Sequence, residues 1–219
     1  MMRRNPSQSS VALGSRWPSI FGVGLYKPLM MVTVMVTMGV GFGSLAVRRL
    51  NPLERNQLIG FMNRFGESVL ERRGELGEAA ALNLGYNLQK LGIQFLLSAV
   101  VIGIPLVLVL LFLHGFAAGF TVGFMIDQFG AGGIALSAAS VYLQQLFVIV
   151  PLAMAGMVGI AYGVAFFTAP RGKKGSSTPS RLFRLGLVFA VAGCLMVPSF
   201  FVEAYLSPAL VRFVLSFLG

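Results

Sequence analysis

The sequence predicts an all-α, polytopic helical membrane protein. Residues 93–169 contain no Lys or Arg, and their single histidine and single acid are His114 and Asp127. Hydrophobic residues make up 56% of the chain and charged residues 11%. A helix rises about 1.5 Å per residue, so about 20 apolar residues cross the hydrocarbon core of a bilayer. We therefore expect one bundle over residues 29–219, with about five transmembrane helices, amphipathic surface helices and one short interfacial or re-entrant helix.

The first predicted span is residues 29–47. It contains no charge, follows a basic leader of residues 1–28 that contains several serines, and is closed by Arg48 and Arg49. A secretory signal would have a shorter apolar region and a small-residue cleavage site, which Ser44 and Ala46 only weakly imitate. The pattern favours an uncleaved anchor over a cleaved signal peptide.

The second predicted span is residues 93–113, and Gly103 with Pro105 predicts a kink near its middle. We expect His114 where this helix leaves the membrane. The chain would then return through a short third span over residues 116–129.

The apolar run of residues 134–169 is too long for one untilted crossing and is interrupted by Gln144, Gln145 and Pro151. It predicts a short helix over residues 134–143 that lies at one face of the membrane, followed by a fourth span over residues 146–168. A fifth span over residues 182–205 is kinked by Pro198, and residues 207–219 form an amphipathic tail.

Residues 50–92 are the largest predicted polar region. Asn51 before Pro52, with Glu54 in the first turn, is typical of a helix start, and an apolar face follows. A second amphipathic stretch begins near Glu75. These helices have too little apolar surface for a core of their own, so they would pack on the bundle, lie on the membrane surface or dock on a partner.

The basic residues predict the orientation. Four of the 17 lie in residues 1–27 and five in residues 170–184, with no acid in either stretch, whereas the seven in residues 48–92 accompany five glutamates. The positive-inside rule makes the leader, with the N-terminus, and the 170–184 loop cytoplasmic, so region 50–92 and the C-terminus lie outside. The net charge of +10 reflects this topology and attraction to anionic membrane lipid, and it predicts no nucleic-acid binding.

Glycines at a spacing of four predict a helix-packing seam. Gly115, Gly119 and Gly123 share one helix face, and Gly159 and Gly163 repeat the spacing later in the chain. Such faces let two backbones approach closely, within one chain or in a homo-oligomer. The alternative is a pore or substrate groove.

The chain lacks the residues of a catalytic, metal or cofactor site, so we expect a protein that is not an enzyme and has no cofactor. The sole histidine, His114, is better suited to a membrane interface than to catalysis or metal binding, and Cys194 has no partner cysteine. Outside region 50–92 the acids are Asp127 and Glu203, which either sit at span ends or relay protons or ions. The polar residues with potential functional roles are Asn87, His114, Asp127, Gln144, Gln145 and Glu203.

Four segments carry a family likeness. They are LFLHGFAAGFTVGF at residues 111–124, QQLF at 144–147 followed by Pro151, AGMVG at 155–159 and VEAYLSP at 202–208. Their order and spacing resemble the stage II sporulation protein M family, as does the position of Asn87 before the second predicted span. The wider family often has a Pro-His-Gly turn with a glutamate three residues on, where this chain has Leu143, Gln144, Gln145 and Val148.

The resemblance implies a membrane anchor and scaffold in engulfment during sporulation. Its partners would be two peptidoglycan-degrading proteins, the stage II sporulation proteins D and P, held at the septal membrane. The alternative is a membrane subunit of a transporter or permease, whose signature would be polar residues converging at the bilayer midplane. The sequence places mainly Thr33, Thr37, Ser98 and the serines at 137 and 140 there.

Overall fold

Every regular element in the described part of the chain is helical, as predicted. The computed structural model describes residues 26–71, 73–100, 103–168 and 178–218. The helices are α1 (Tyr26–Ala46), α2 (Pro52–Glu71), α3 (Arg73–Ala99), α4 (Gly103–Ser137), α5 (Leu143–Thr168), α6 (Thr178–Phe201) and α7 (Ser207–Leu218). A 3₁₀ turn at Val47–Arg49 follows α1, and π-helical segments occupy Ala138–Tyr142 and Val202–Leu206.

Within the described residues, three helical stretches are long and apolar enough to cross a membrane. They are Tyr26–Arg49, Gly103–Ala165, which contains both α4 and most of α5, and Leu182–Val211. The first and fifth predicted spans lie within the first and third of these stretches. The structure therefore has three candidate membrane-spanning stretches, and the predicted number of about five spans is not confirmed.

The predicted second and third spans are wrong. Instead of one kinked helix over residues 93–113, α3 ends at Ala99 and α4 begins at Gly103 after a tight turn, in which the Val100 N–H donates to the Leu97 carbonyl (3.2 Å). A Cβ at position 103 would collide with the backbone of Leu97, so glycine permits this turn. Helix α4 then continues through His114, which lies inside the helix rather than where the chain leaves the membrane.

The chain reverses at Gly130, not at His114. Gly130 has φ 54° and ψ −128°, a conformation that side chains with a Cβ rarely adopt. The following residues fold back so that Gly133 lies against the backbone of Met125 and Ile126. They continue through the first π-helical segment into α5 without a break at Gln144. The predicted separate interfacial helix over residues 134–143 is therefore wrong.

Cross-helix contacts define how the long helices run. Gly39 lies against Phe112 and Gly43 against Phe116, so α1 and α4 are parallel. Gln94 contacts Leu152 and Ser98 contacts Gly159, so α3 and α5 are parallel. Helix α3 returns against α4 through its tight turn, and α6 runs antiparallel to α5 because Gly159 lies near Phe189 while Gln144 bonds to Glu203. We call the end of the bundle that carries α2, Asp127 and Glu203 the α2 end.

Helix α3 buries several polar side chains and exposes several apolar ones. Asn87, Gln94 and Ser98 are each at most 4% exposed, whereas Leu82 and Leu96 are each more than 60% exposed. In a water-soluble helix the apolar stripe would face the core. The inverted pattern suits a helix whose outer face meets lipid and whose inner face bonds to neighbouring helices.

The bundle core lies between α3, α4, α5 and α6, with one residue of α1. Its fully buried members are mainly aliphatic, and the ring of Phe95 in α3 packs edge-on to Phe189 in α6 at 5.3 Å between centroids. The largest fully buried apolar side chains are Leu111, Ile160, Leu185, Met196, Val32, Val107 and Val148.

Candidate functional site at the α2 end

A carboxylate and two amides from different helices form a polar cluster at the α2 end. The Asn83 side-chain N–H group in α3 donates to both oxygens of Glu203, at 3.1 Å to Oε1 and 3.0 Å to Oε2. Gln144 at the start of α5 donates to Oε2 at 2.6 Å. All three side chains are half-buried. Amide donors compensate part of the cost of withdrawing a carboxylate from water, and they tie α3 and α5 to the end of α6.

The start of α7, directly after the second π-helical segment, contacts the first π-helical segment beside this cluster. The Ser207 hydroxyl donates to the Ser140 carbonyl at 3.3 Å, and the Ser140 hydroxyl donates to the Leu136 carbonyl at 2.7 Å. Single-turn π segments inside α-helices are frequent at functional sites because they shift side chains out of the regular register. Here one such segment carries Glu203 and the other immediately precedes α5, which begins at Leu143.

A cavity of about 340 Å³ opens next to the polar cluster. Its walls come from α2, α3, α4, the two π-helical segments, the start of α5 and α7, and they are mainly apolar. The lining residues are Leu58, Phe61, Ala79, Phe120, Thr121, Phe124, Met125, Ser140, Val141, Gln144, Glu203, Ser207, Pro208 and Val211.

His114 bonds to the second glutamine of the pair. Its Nε2 lies 3.1 Å from Gln145 Oε1, and both side chains are half-buried. Adjacent glutamines therefore link α5 to two different helices, Gln144 to Glu203 and Gln145 to His114. Neither hydrogen bond pairs a nucleophile with a neighbouring base.

Asp127 and Asn87 lie outside the polar cluster. Asp127 forms an ion pair with Arg55, which joins the start of α2 to α4 on an exposed surface. Asn87 is buried and accepts a 3.4 Å hydrogen bond from Lys90. Of the six predicted polar residues, the structure thus brings Gln144 to Glu203 and Gln145 to His114.

Sequence reasoning missed Asn83. A signal for it exists, because Asn83, Asn87, Gln94 and Ser98 recur at helical spacing along one face of α3. A prediction that this face is buried, rather than exposed to solvent, would have identified Asn83 as a candidate site residue.

The predicted glycines of α4 lie directly on the backbone of α1. Gly115, Gly119 and Gly123 face Val36, Val40 and Ser44, and a Cβ at any of them would overlap backbone atoms of α1. Helix α1 reciprocates with Gly39 and Gly43, which the sequence analysis had not singled out. By contrast, the glycines of α5 meet side chains: Gly159 faces Ser98 and Gly163 faces Ile104.

Across the described residues, no three His, Cys, Asp or Glu side chains are grouped so that they could hold a metal ion. The polar cluster and the hydroxyls beside it supply a single carboxylate, amides and hydroxyls. This combination can hold helices together and accept hydrogen bonds from a ligand.

Comparison with known protein families gives a match over most of the membrane region. The family described as stage II sporulation protein M matches residues 32–208, from α1 to the start of α7. Searches of curated proteins and of solved structures each found no match. The matched range covers the predicted motifs, α2, the polar cluster and all the described lining residues of the cavity except Val211. With its apolar helices, the chain is a sporulation membrane protein and belongs to the stage II sporulation protein M family.

Proposed function

We propose that this chain is a non-catalytic membrane anchor and scaffold of the engulfment machinery. It recruits and positions peptidoglycan-degrading proteins, the stage II sporulation proteins D and P, at the septal membrane. Family membership over residues 32–208 supports the sporulation role. The identity of the partners follows from the family resemblance.

The arrangement of the helices supports a five-crossing topology. In this proposal α1, α3, α4, α5 and α6 each cross the membrane, with α3 in place of the predicted second span. The exposed apolar face of α3 and its alternation of direction with α4 support its inclusion. The start of α1, the end of α5 and the start of α6 then lie at the same end of the bundle. The positive-inside rule makes this end cytoplasmic, because the basic residues of the sequence adjoin these helix ends, and the C-terminus lies outside.

The observation that carries the scaffold proposal is the surface of α2 at the outward end. Leu53 is 71% exposed in the first turn of α2, next to charged and polar side chains that are also exposed. Helix α2 contacts α3 and α7, and the ion pair between Arg55 and Asp127 adds an exposed link to α4. An amphipathic helix that is mounted on a rigid bundle and carries exposed apolar side chains is suited to bind a partner protein.

The test is purification from sporulating cells. The tagged full-length protein is solubilised in mild detergent, and mass spectrometry identifies what co-purifies. We expect cell-wall hydrolases with the unchanged chain and a loss of at least about fivefold in their recovery with Leu53→Ser, because truncating an apolar anchor at an interface costs more than about 1 kcal/mol.

A matched control separates partner binding from general damage. Phe183 in α6 is 73% exposed but lies at the opposite end of the bundle, so Phe183→Ser removes a comparable apolar surface and should leave hydrolase recovery unchanged. Equal recovery with both variants, or no hydrolase with the unchanged chain, would refute the scaffold proposal for this surface.

The second candidate, a membrane subunit of a transporter, is favoured by one observation. Polar side chains from four helices face the interior of the bundle, in the Asn83–Gln144–Glu203 cluster and in the His114–Gln145 pair. Such convergence marks substrate sites in transporters. Co-purification of a nucleotide-hydrolysing subunit or a solute-binding protein in the same experiment would support this candidate over the scaffold.

A further inference from the structure

The cavity at the α2 end has the size and shape of a small-ligand site. Its volume of about 340 Å³ falls at the lower end of the range for such sites, about 300–1,000 Å³, which are also mostly apolar with a few placed polar groups. Phe61, Ala79 and Thr121 are exposed and form its rim, whereas Phe124 and Met125 are buried at its inner end. Access is therefore from the surface between α2, α3 and α4.

The size of the cavity argues against a protein helix as its occupant. One turn of an α-helix with its side chains is about 10 Å across and 5.4 Å tall, which would more than fill this volume. A single alkyl chain is narrow enough to enter. The apolar walls, including Leu58, Phe120 and Val211, are suited to receive it.

The polar groups of the lining define the head group. The hydroxyls of Thr121, Ser140 and Ser207 donate to backbone carbonyls, so they offer oxygen lone pairs to a ligand. Glu203 is the only charged residue among the described lining residues. Its Oε1 accepts one described hydrogen bond, from Asn83, and has room for a second. The lining thus presents mainly acceptors around one carboxylate, which selects a cationic hydrogen-bond donor.

From these observations we propose that the cavity binds a single-chain amphiphile with a cationic amine head. The alkyl chain lies between α2, α4 and α7, and the amine donates to Glu203. The site does not require the scaffold role, because its occupancy can be measured on the isolated full-length chain.

The experiment uses a twelve-carbon alkylamine with a photoreactive group at the end of its tail. The purified full chain is placed in nanodiscs of zwitterionic lipid that lack amine head groups, irradiated and digested, and labelled peptides are located by mass spectrometry. We expect labelling at Phe120–Met125 that excess dodecylamine displaces. The corresponding alcohol and carboxylate probes should label these residues about tenfold less at equal concentration, since each loses the charge-assisted hydrogen bond.

Two variants and a matched control test the site itself. Ala79→Trp fills the rim and should abolish labelling inside the cavity, whereas Ala81→Trp, two residues along α3 and outside the lining, should leave it unchanged. Glu203→Gln should reduce labelling by the amine about tenfold and leave that by the alcohol unchanged. Ala79→Trp carries the test if Glu203→Gln fails to fold.

Several outcomes would overturn the proposal. Equal labelling by amine and carboxylate probes would show that Glu203 does not select the head group, and full labelling in Ala79→Trp would place the probe elsewhere. Labelling that a diacyl phospholipid or a partner protein segment displaces, but dodecylamine does not, would show a different occupant.

Discussion

The contact between α1 and α4 can be tested with one pair of glycine-to-alanine substitutions. In Gly119→Ala the new methyl group would overlap backbone atoms of Val40, which no rotamer change can move away. Overpacking of this kind costs about 3 kcal/mol when the backbone must shift. Alanine gains about 1 kcal/mol over glycine in helix propensity, so the net loss of stability should be about 2 kcal/mol.

Gly41 in α1 provides the matched control. No atom lies within 4 Å of the position that its Cβ would take, so Gly41→Ala keeps the gain in propensity without the collision. For a chain of this size 1 kcal/mol shifts the melting temperature by about 2–4 °C. We therefore expect Gly119→Ala to melt about 4–8 °C below the unchanged chain. Gly41→Ala should melt about 2–4 °C above it.

The assay is thermal unfolding of the purified chain in one detergent, with size-exclusion chromatography before and after heating. The difference between the two variants, about 6–12 °C, isolates the backbone contact because the propensity change is common to both. If both variants melt together, or if Gly119→Leu reaches wild-type levels with unchanged function, α1 and α4 are not held by this seam.

Three further predictions concern single contacts. Gly130→Ala should lose about 1–3 kcal/mol of stability, because φ 54° strains an alanine. Gly92 in α3 is also in open space but is helical, so Gly92→Ala should show no such loss. Unchanged unfolding temperatures for Gly130→Ala would argue against the reversal at this residue. Gln94→Met should be neutral or slightly stabilising in thermal unfolding. The substitution removes a donor to the Leu152 carbonyl, but it also removes an Oε1 that is buried without a described partner. A loss above about 2 kcal/mol would show that this oxygen has a hydrogen-bond partner. Asp127→Asn should change stability by less than about 1 kcal/mol, since the side chains of Arg55 and Asp127 are 45% and 39% exposed. The substitution should also leave partner recovery unchanged. Loss of partners at normal membrane levels would count against the scaffold.

The helical class was predictable because it follows from composition alone. Long stretches without charge can satisfy their backbone groups in a membrane only as helices or closed barrels, and their length suits helices. The first span was equally predictable, because charged residues mark its C-terminal end. Family membership was predictable from the order of four weak motifs, and the family match confirms it.

The helix boundaries between residues 93 and 143 were not predictable from local signals. His114 and Gly115 resemble a break, yet α4 continues because its glycine face packs on α1 and compensates for poor helix propensity. Helix α4 begins at Gly103 because a glycine there fits against the backbone of Leu97. A single glycine in an apolar run does not distinguish this break from the glycines inside α4, whose role depends on the tertiary contact with α1.

Only part of the candidate site was predictable from the sequence, for a related reason. Gln144 and Glu203 stood out as polar residues in apolar runs, whereas Asn83 lies in a region that reads as water-exposed. In a membrane bundle the buried face of a helix can be its polar one, and α3 follows that inverted pattern. The periodicity of polar residues is the signal to search for in such helices.

The two glutamines at the start of α5 bear on the choice between anchor and transporter. In the wider family that this chain resembles, the corresponding turn often carries a histidine, with a glutamate shortly after it; here Gln144 and Gln145 bond to Glu203 and His114. An amide donates and accepts hydrogen bonds but does not take up or release a proton near neutral pH. A proton path through this region would need titratable groups where the amides stand. The same amides are well suited to hold α5 against α4 and the end of α6, which is the requirement of a rigid anchor and supports the scaffold proposal.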